Sequence, residues 1–126
     1  MEKLNLFSNK ISDINELENF NLKELKDLNL GENEISDIST LERLKFEKLE
    51  ILKFNSNKIS DINVLERANN LKNLKILDLR YNQIADIEVL KKVKIDRIEL
   101  GNNQIPEDQL NELAISESLE TLYIDD

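Results

Sequence analysis

Four aspartates, Asp13, Asp37, Asp61 and Asp86, recur along this 126-residue chain at a nearly constant step, each two residues after an isoleucine and just before another. Carboxylates in a regular column invite a calcium reading. An oxygen-rich site, however, needs about six to eight ligands converging on one ion, with several of them from one compact loop. Here each copy supplies a single aspartate, roughly one strand spacing from the next. Each also stands where a helical turn would begin, and a Ser or Asp oxygen there accepts from free backbone N–H groups. Capping is therefore the expected role, and no metal or cofactor is expected.

Acid–base chemistry has equally thin material. The chain contains no His and no Cys, so a general base or nucleophile would have to come from Asp, Glu, Lys, Ser or Tyr. Asp78 and Glu99 are the carboxylate pair with the right placement, since they should lie side by side on neighbouring strands. Hydrolysis between two carboxylates requires a deep substrate cleft, and nothing in the sequence implies one. The chain is not expected to be an enzyme.

The elements that position these residues are copies of one unit. Asn9, Asn33, Asn57, Asn82 and Asn103 follow one another at steps of 24, 24, 25 and 21 residues. Upstream of each lies an apolar pair: Leu4 and Leu6, Leu28 and Leu30, Leu52 and Phe54, Leu77 and Leu79, Ile98 and Leu100. Downstream comes Ile11, Ile35, Ile59, Ile84 or Ile105, which completes L-x-L-x-x-N-x-I in five registers.

That motif and its period, inside the range of about 20–29 residues, identify a resemblance to the leucine-rich-repeat superfamily from Lys3 to about Ile124. The segments Ile11-Ser-Asp-Ile14, Ile35-Ser-Asp-Ile38, Ile59-Ser-Asp-Ile62 and Ile84-Ala-Asp-Ile87 resemble the subclass found in the protein phosphatase 1 regulatory subunit and in internalins. Relative to that subclass, most copies here carry two or three extra residues in the returning segment. The resemblance implies an α/β fold: a right-handed solenoid with a parallel sheet on its concave side and short helices or turns on its convex side. Five repeats and a terminal strand, Leu119 to Ile124, would form one domain over residues 1–126. It also implies that the asparagine amides lie inside the coil and bond backbone groups of neighbouring turns. Losing such a partner costs roughly 1–3 kcal/mol per stranded group.

The returning segments, such as Leu41-x-x-Leu44-x-Phe46-x-x-Leu49, have the spacing of one or two turns of α-helix. The fourth return, Leu90 to Ile95, is three residues shorter, about one helical turn fewer. In the fifth copy Pro106-Glu107-Asp108 starts a longer α-helix to about Ala114, with proline in the first turn and acidic residues at the positive end of the dipole. At the other end Leu4, Leu6, Ile11 and Ile14 have no preceding turn to cover them. Either the chain is a piece of a longer repeat protein, or something else covers that surface.

Bulk composition narrows the partners. A net charge of −9 disfavours nucleic acid, which needs clustered Lys and Arg, and disfavours anionic membrane surfaces likewise. No stretch has the roughly 18 apolar residues of a bilayer span. The absence of cysteine, of an N-x-S/T acceptor and of an apolar leader makes a cytoplasmic location the simplest expectation.

Recognition is the remaining class. Along the strands the outward residues change from copy to copy while the inward ones do not, which separates display from framework. The candidate protein-binding residues on the concave face are Phe7, Asn29, Lys53, Asn55, Asp78, Arg80, Tyr81, Glu99 and Tyr123. Arg80, Tyr81, Tyr123 and Phe7 are the expected anchors, because binding energy concentrates in aromatic and Arg side chains. The expected function is a protein-binding scaffold, of which a phosphatase-regulator-like subunit is one version. The alternative is a structural spacer of a larger repeat protein that self-associates through its uncapped ends.

Overall fold

A computed structural model describes residues 1–114 and 119–123, with side chains as far as residue 113. Six parallel strands form one sheet in sequence order: β1 (Lys3–Asn5), β2 (Asp27–Asn29), β3 (Ile51–Lys53), β4 (Ile76–Asp78), β5 (Ile95–Glu99) and β6 (Leu119–Tyr123). Each strand pairs with the next in strict repeat register, Leu4 with Leu28, Leu28 with Leu52, Leu52 with Leu77 and Leu77 with Ile98. Parallel strands joined in this way need a crossover, and the crossovers here wind a right-handed coil. The sheet lines its concave side. The expected solenoid is the observed one, its terminal strand described from Leu119 to Tyr123, with Ile124 outside the described residues.

Strand alternation sends the apolar pair of each copy inward, where Leu28, Leu52 and Phe54 are fully buried. Ile35, Ile59 and Ile84 close the same core from the other side of the turn, also without exposed surface. The core is thus a row of layers, one per copy, each covered by its neighbours.

The returns differ from expectation in kind. They are five-residue 3₁₀ helices, Asn15–Asn19, Ser39–Arg43, Asn63–Arg67 and Glu88–Lys92, with a short further one at Asn69–Leu71. In each long one the bond runs back three residues to the same carbonyl, that of Ile14, Ile38, Ile62 or Ile87, at 2.9–3.1 Å. The reason is width. Strands stand about 4.8 Å apart in the sheet, whereas packed α-helices need about 8–10 Å, so a column of α-helices would splay the coil. The tighter 3₁₀ turn keeps successive returns close.

The shortened fourth return keeps its 3₁₀ helix at full length. What it loses is the stretch after it: β5 begins at Ile95, three residues past Lys92, whereas β4 begins at Ile76, nine residues past Arg67. In the fifth copy the expected α-helix is present as α1 (Glu107–Ala114), with Pro106 just before it accepting from the N–H groups of Gln109 and Leu110. It packs on the Glu88–Lys92 turn, where the side-chain Oε1 of Gln109 accepts from the Ile87 N–H at 2.9 Å.

Candidate functional site

The polar residues that the repeat holds most constant are framework. Asn57 Nδ2 donates to the carbonyls of Leu30 and Phe54, both at 3.0 Å, and its Oδ1 accepts from Ile35 N–H at 2.9 Å. Asn33, Asn82 and Asn103 repeat this geometry one turn away each. Every linking carbonyl therefore receives two amides: Leu6 from Asn9 and Asn33, Leu30 from Asn33 and Asn57, Phe54 from Asn57 and Asn82, Leu79 from Asn82 and Asn103. Asn9 sits at the open end, exposed, and donates to its own turn.

The aspartate column is engaged at the turns, though one residue ahead of the N-cap position, which Ile14, Ile38, Ile62 and Ile87 hold without a side-chain bond. Asp13, Asp37, Asp61 and Asp86 accept from the N–H two residues on, at 2.8–3.0 Å, where each 3₁₀ helix starts. At Asp37 the backbone and hydroxyl of Ser39, with Arg43 nearby, hold the carboxyl below its ordinary pKa. Among the described residues no cluster of His, Cys, Asp and Glu has the arrangement of a metal site, and no helix is long and apolar enough to cross a membrane.

On the concave face one row runs in register through Asn29, Lys53, Asp78, Glu99 and Tyr123. A second row, two residues on, holds Phe7, Gly31, Asn55 and Arg80. Where the two rows meet on β4 and β5 there is a charged cluster. Asp78 accepts from Arg80 three times: from Nε at 3.0 Å, from a terminal amino group at 2.7 Å and from the backbone N–H at 3.1 Å. Glu99 lies 3.8 Å from Arg80 and 3.6 Å from Arg97.

Asp78 was expected among the displayed residues; its side chain is instead 2% exposed. Residues two apart share a face of a strand, so the Arg80 side chain folds back over the carboxylate and covers it. Asp78 consequently positions Arg80 and offers little surface of its own. Asn29 has a similar local duty, accepting from Gly31 N–H at 2.9 Å, as Asn5 does from Phe7 N–H. Asn55 lies across Gly31, so close that a Cβ built there would stand 2.6 Å from the Asn55 oxygen.

Among the aromatic candidates, Tyr81 is 56% exposed and adjoins the cluster. Its backbone is left-handed, φ 58°, as at Ser8, Glu32, Ser56 and Asn102 in the same position of the other copies. Phe7 is exposed too, but three strands from Arg80, about 14 Å away. Tyr123 is placed by its backbone opposite Glu99, and its side chain lies outside the described residues. Lys53, half-buried, sits between Asn29 and Asp78 in the row.

A further row of the same face was missed from sequence: Asp27, Ile51, Ile76 and Arg97, in register on four strands. Ile51 and Ile76 put a half-buried apolar pair beside Lys53 and Asp78. The signal was available, since each stands two residues before a recognised display position.

This coil of parallel strands, asparagine ladder and short returns defines a leucine-rich-repeat solenoid. A family model described as leucine-rich repeats in two copies matches residues 1–43 and 47–92, and the chain belongs to that family. In structure it is similar to internalin C2 from Listeria monocytogenes, with a TM-score of 0.73 and 27% identity over 99% of this chain and 52% of that one. An internalin designated InlF from the same organism aligns with a TM-score of 0.47 and 22% identity, over 98% of this chain and 47% of that one. The chain thus spans about half the length of these structural relatives. No curated protein sequence matches it significantly.

Proposed function

We propose that the chain is a protein-binding module whose concave sheet face receives its partner at the β3–β5 region. Proteins of this repeat family generally mediate protein–protein interaction, which supports the class. The observation that carries the location is the Asp78–Arg80–Glu99 cluster. It fixes an arginine on the concave face, next to an exposed Tyr81 and the Ile51–Ile76 pair, over a framework that repeats. A guanidinium held by a buried carboxylate loses little freedom on binding, which favours affinity. The same bonds argue against acid–base work by Asp78 and Glu99, since both carboxylates already serve arginines on an open sheet.

The test is capture of a partner on the immobilised chain, followed by calorimetric titration of that partner against Tyr81→Ala, Lys53→Glu and the double variant Asp78→Asn/Arg80→Ala. Losses of about tenfold or more at unchanged melting temperature are expected, as for interface anchors. Partner affinity indifferent to all three variants sinks the reading.

A second reading, a spacer that associates end to end, is favoured by one feature. At the β1 end an apolar cleft of about 450 Å³ is lined by Leu4, Leu6, Ile11, Leu17 and Phe20. Light scattering across a concentration series decides it: rising mass that Leu6→Lys abolishes supports stacking, and a constant monomer mass excludes it.

A further inference from the structure

The convex side carries a defect that the repeats themselves create. Leu22, Phe46 and Leu71 occupy one place in successive copies, each six residues before the paired strand residues Leu28, Leu52 and Leu77. The fourth return, being shorter, has Lys92 at that spacing before Ile98, where the earlier copies place an apolar residue. A cleft of about 360 Å³ opens there, between the third and fourth returns. Its effect on burial is measurable within the chain. Leu41, Leu44 and Phe46 in the second return are 0, 3 and 4% exposed, whereas their equivalents Leu65, Ala68 and Leu71 are 5, 7 and 8% exposed.

The rim of this cleft is basic on an acidic protein. Lys72, Lys92 and Lys94 stand on it, against a single carboxylate, Glu66. Elsewhere cross-repeat pairs neutralise the lysines and arginines of the returns: Lys26 with Glu2, Lys48 with Glu24, Lys75 with Glu50, Arg67 with Glu42. Lys92 joins that scheme through Glu66 at 3.1 Å. Among the described residues Lys72 and Lys94 have no ion pair. For Lys94 the cause is visible: Asn73 fills the place one repeat back where Glu24 serves Lys48. A second groove beside Lys72 and Lys94 carries Lys26, Lys48 and Lys75 together with Glu50 and Asp96.

We propose that this notch is a docking site for a short acidic peptide segment that seats one apolar side chain over Leu71 and sets flanking carboxylates against Lys72 and Lys94. Charge complementarity selects that occupant. A partner with a bare apolar anchor would leave the two lysines uncompensated, and a basic one would meet them as like charges. The site is separate from the concave face and stands or falls independently of it.

A phage-displayed random peptide library panned on the folded chain tests this, with Lys72→Glu/Lys94→Glu, Ala68→Trp and Asp78→Asn/Arg80→Ala panned in parallel. Enrichment of peptides with Leu, Ile or Phe between Asp and Glu residues is expected. Their affinity should fall about tenfold or more on the charge-reversed variant, and should weaken in high salt, where screening shortens to about 3 Å at 1 M. Ala68→Trp should block them by filling the notch, and the concave-face variant should leave them unchanged. Should Ala68→Trp fail to fold, the charge-reversed variant decides alone, because both lysines are exposed. The proposal is overturned by selected peptides without acidic flanks, by peptides that bind the charge-reversed chain equally, by loss on the concave-face variant, or by no enrichment.

Discussion

Replacing Asn57 by Ala should cost far more than replacing Asn9, although the two residues hold the same place in the repeat. In the interior, the change removes the acceptor for Ile35 N–H, a group with no other partner among the described residues, and strands it in the core. A buried unsatisfied donor costs about 1–3 kcal/mol. The carbonyls of Leu30 and Phe54 fare better, because each keeps a second amide, from Asn33 and Asn82 respectively. Each loses one ordinary hydrogen bond, about 0.5–1.5 kcal/mol. Together these give about 2–6 kcal/mol, a large share of the roughly 5–15 kcal/mol typical of a domain. At Asn9 the same deletion removes two bonds within an exposed turn, where water replaces them, so less than about 1 kcal/mol is expected. Urea unfolding followed by circular dichroism measures both. Equal losses at Asn9 and Asn57 would refute the reasoning, because the difference rests on burial and on the shared carbonyls and not on the motif.

Arg80→Ala alone should lower stability by about 1–3 kcal/mol, because it removes the charge-assisted hydrogen bonds to Asp78 and uncovers that carboxylate beside Glu99, whereas Asp78→Asn/Arg80→Ala should recover most of it; thermal melts of the two decide. The recovery is expected because Asn at that place keeps the bond to the backbone N–H, as Asn29 does. Gly31→Ala should destabilise by about 1–3 kcal/mol through the contact with Asn55, and adding Asn55→Ala should remove most of the penalty, a coupling that a double-mutant cycle reads directly. Asp37 has its pKa lowered in the folded chain, so its contribution is present above the ordinary carboxylate range and is lost as pH falls through the folded value. The melting temperatures of wild type and Asp37→Asn should therefore differ near neutral pH and converge in acid, and a gap that persists in acid would contradict the assignment.

The sequence by itself determined the coil, its inward Leu, Ile and Phe residues, and the structural duty of the asparagine and aspartate columns. The physical reason is repetition. A period-two strand pattern followed by a polar turn has one way to bury its apolar side, and each copy states it again. The tertiary structure alone decided what depends on the neighbouring turn. The returns are 3₁₀ and not α because they must match the strand spacing of the adjacent copies, a constraint absent from any single segment. Serine, glutamate, tyrosine and asparagine share a left-handed position, so residue type there gave no sign of it. The local pair Asp78–Arg80 looked like two displayed charges until the Arg80 side chain was seen lying over the carboxylate. The notch at Leu71 likewise arises from the difference in length between two returns, which the sequence shows as a deletion and only stacking turns into a surface.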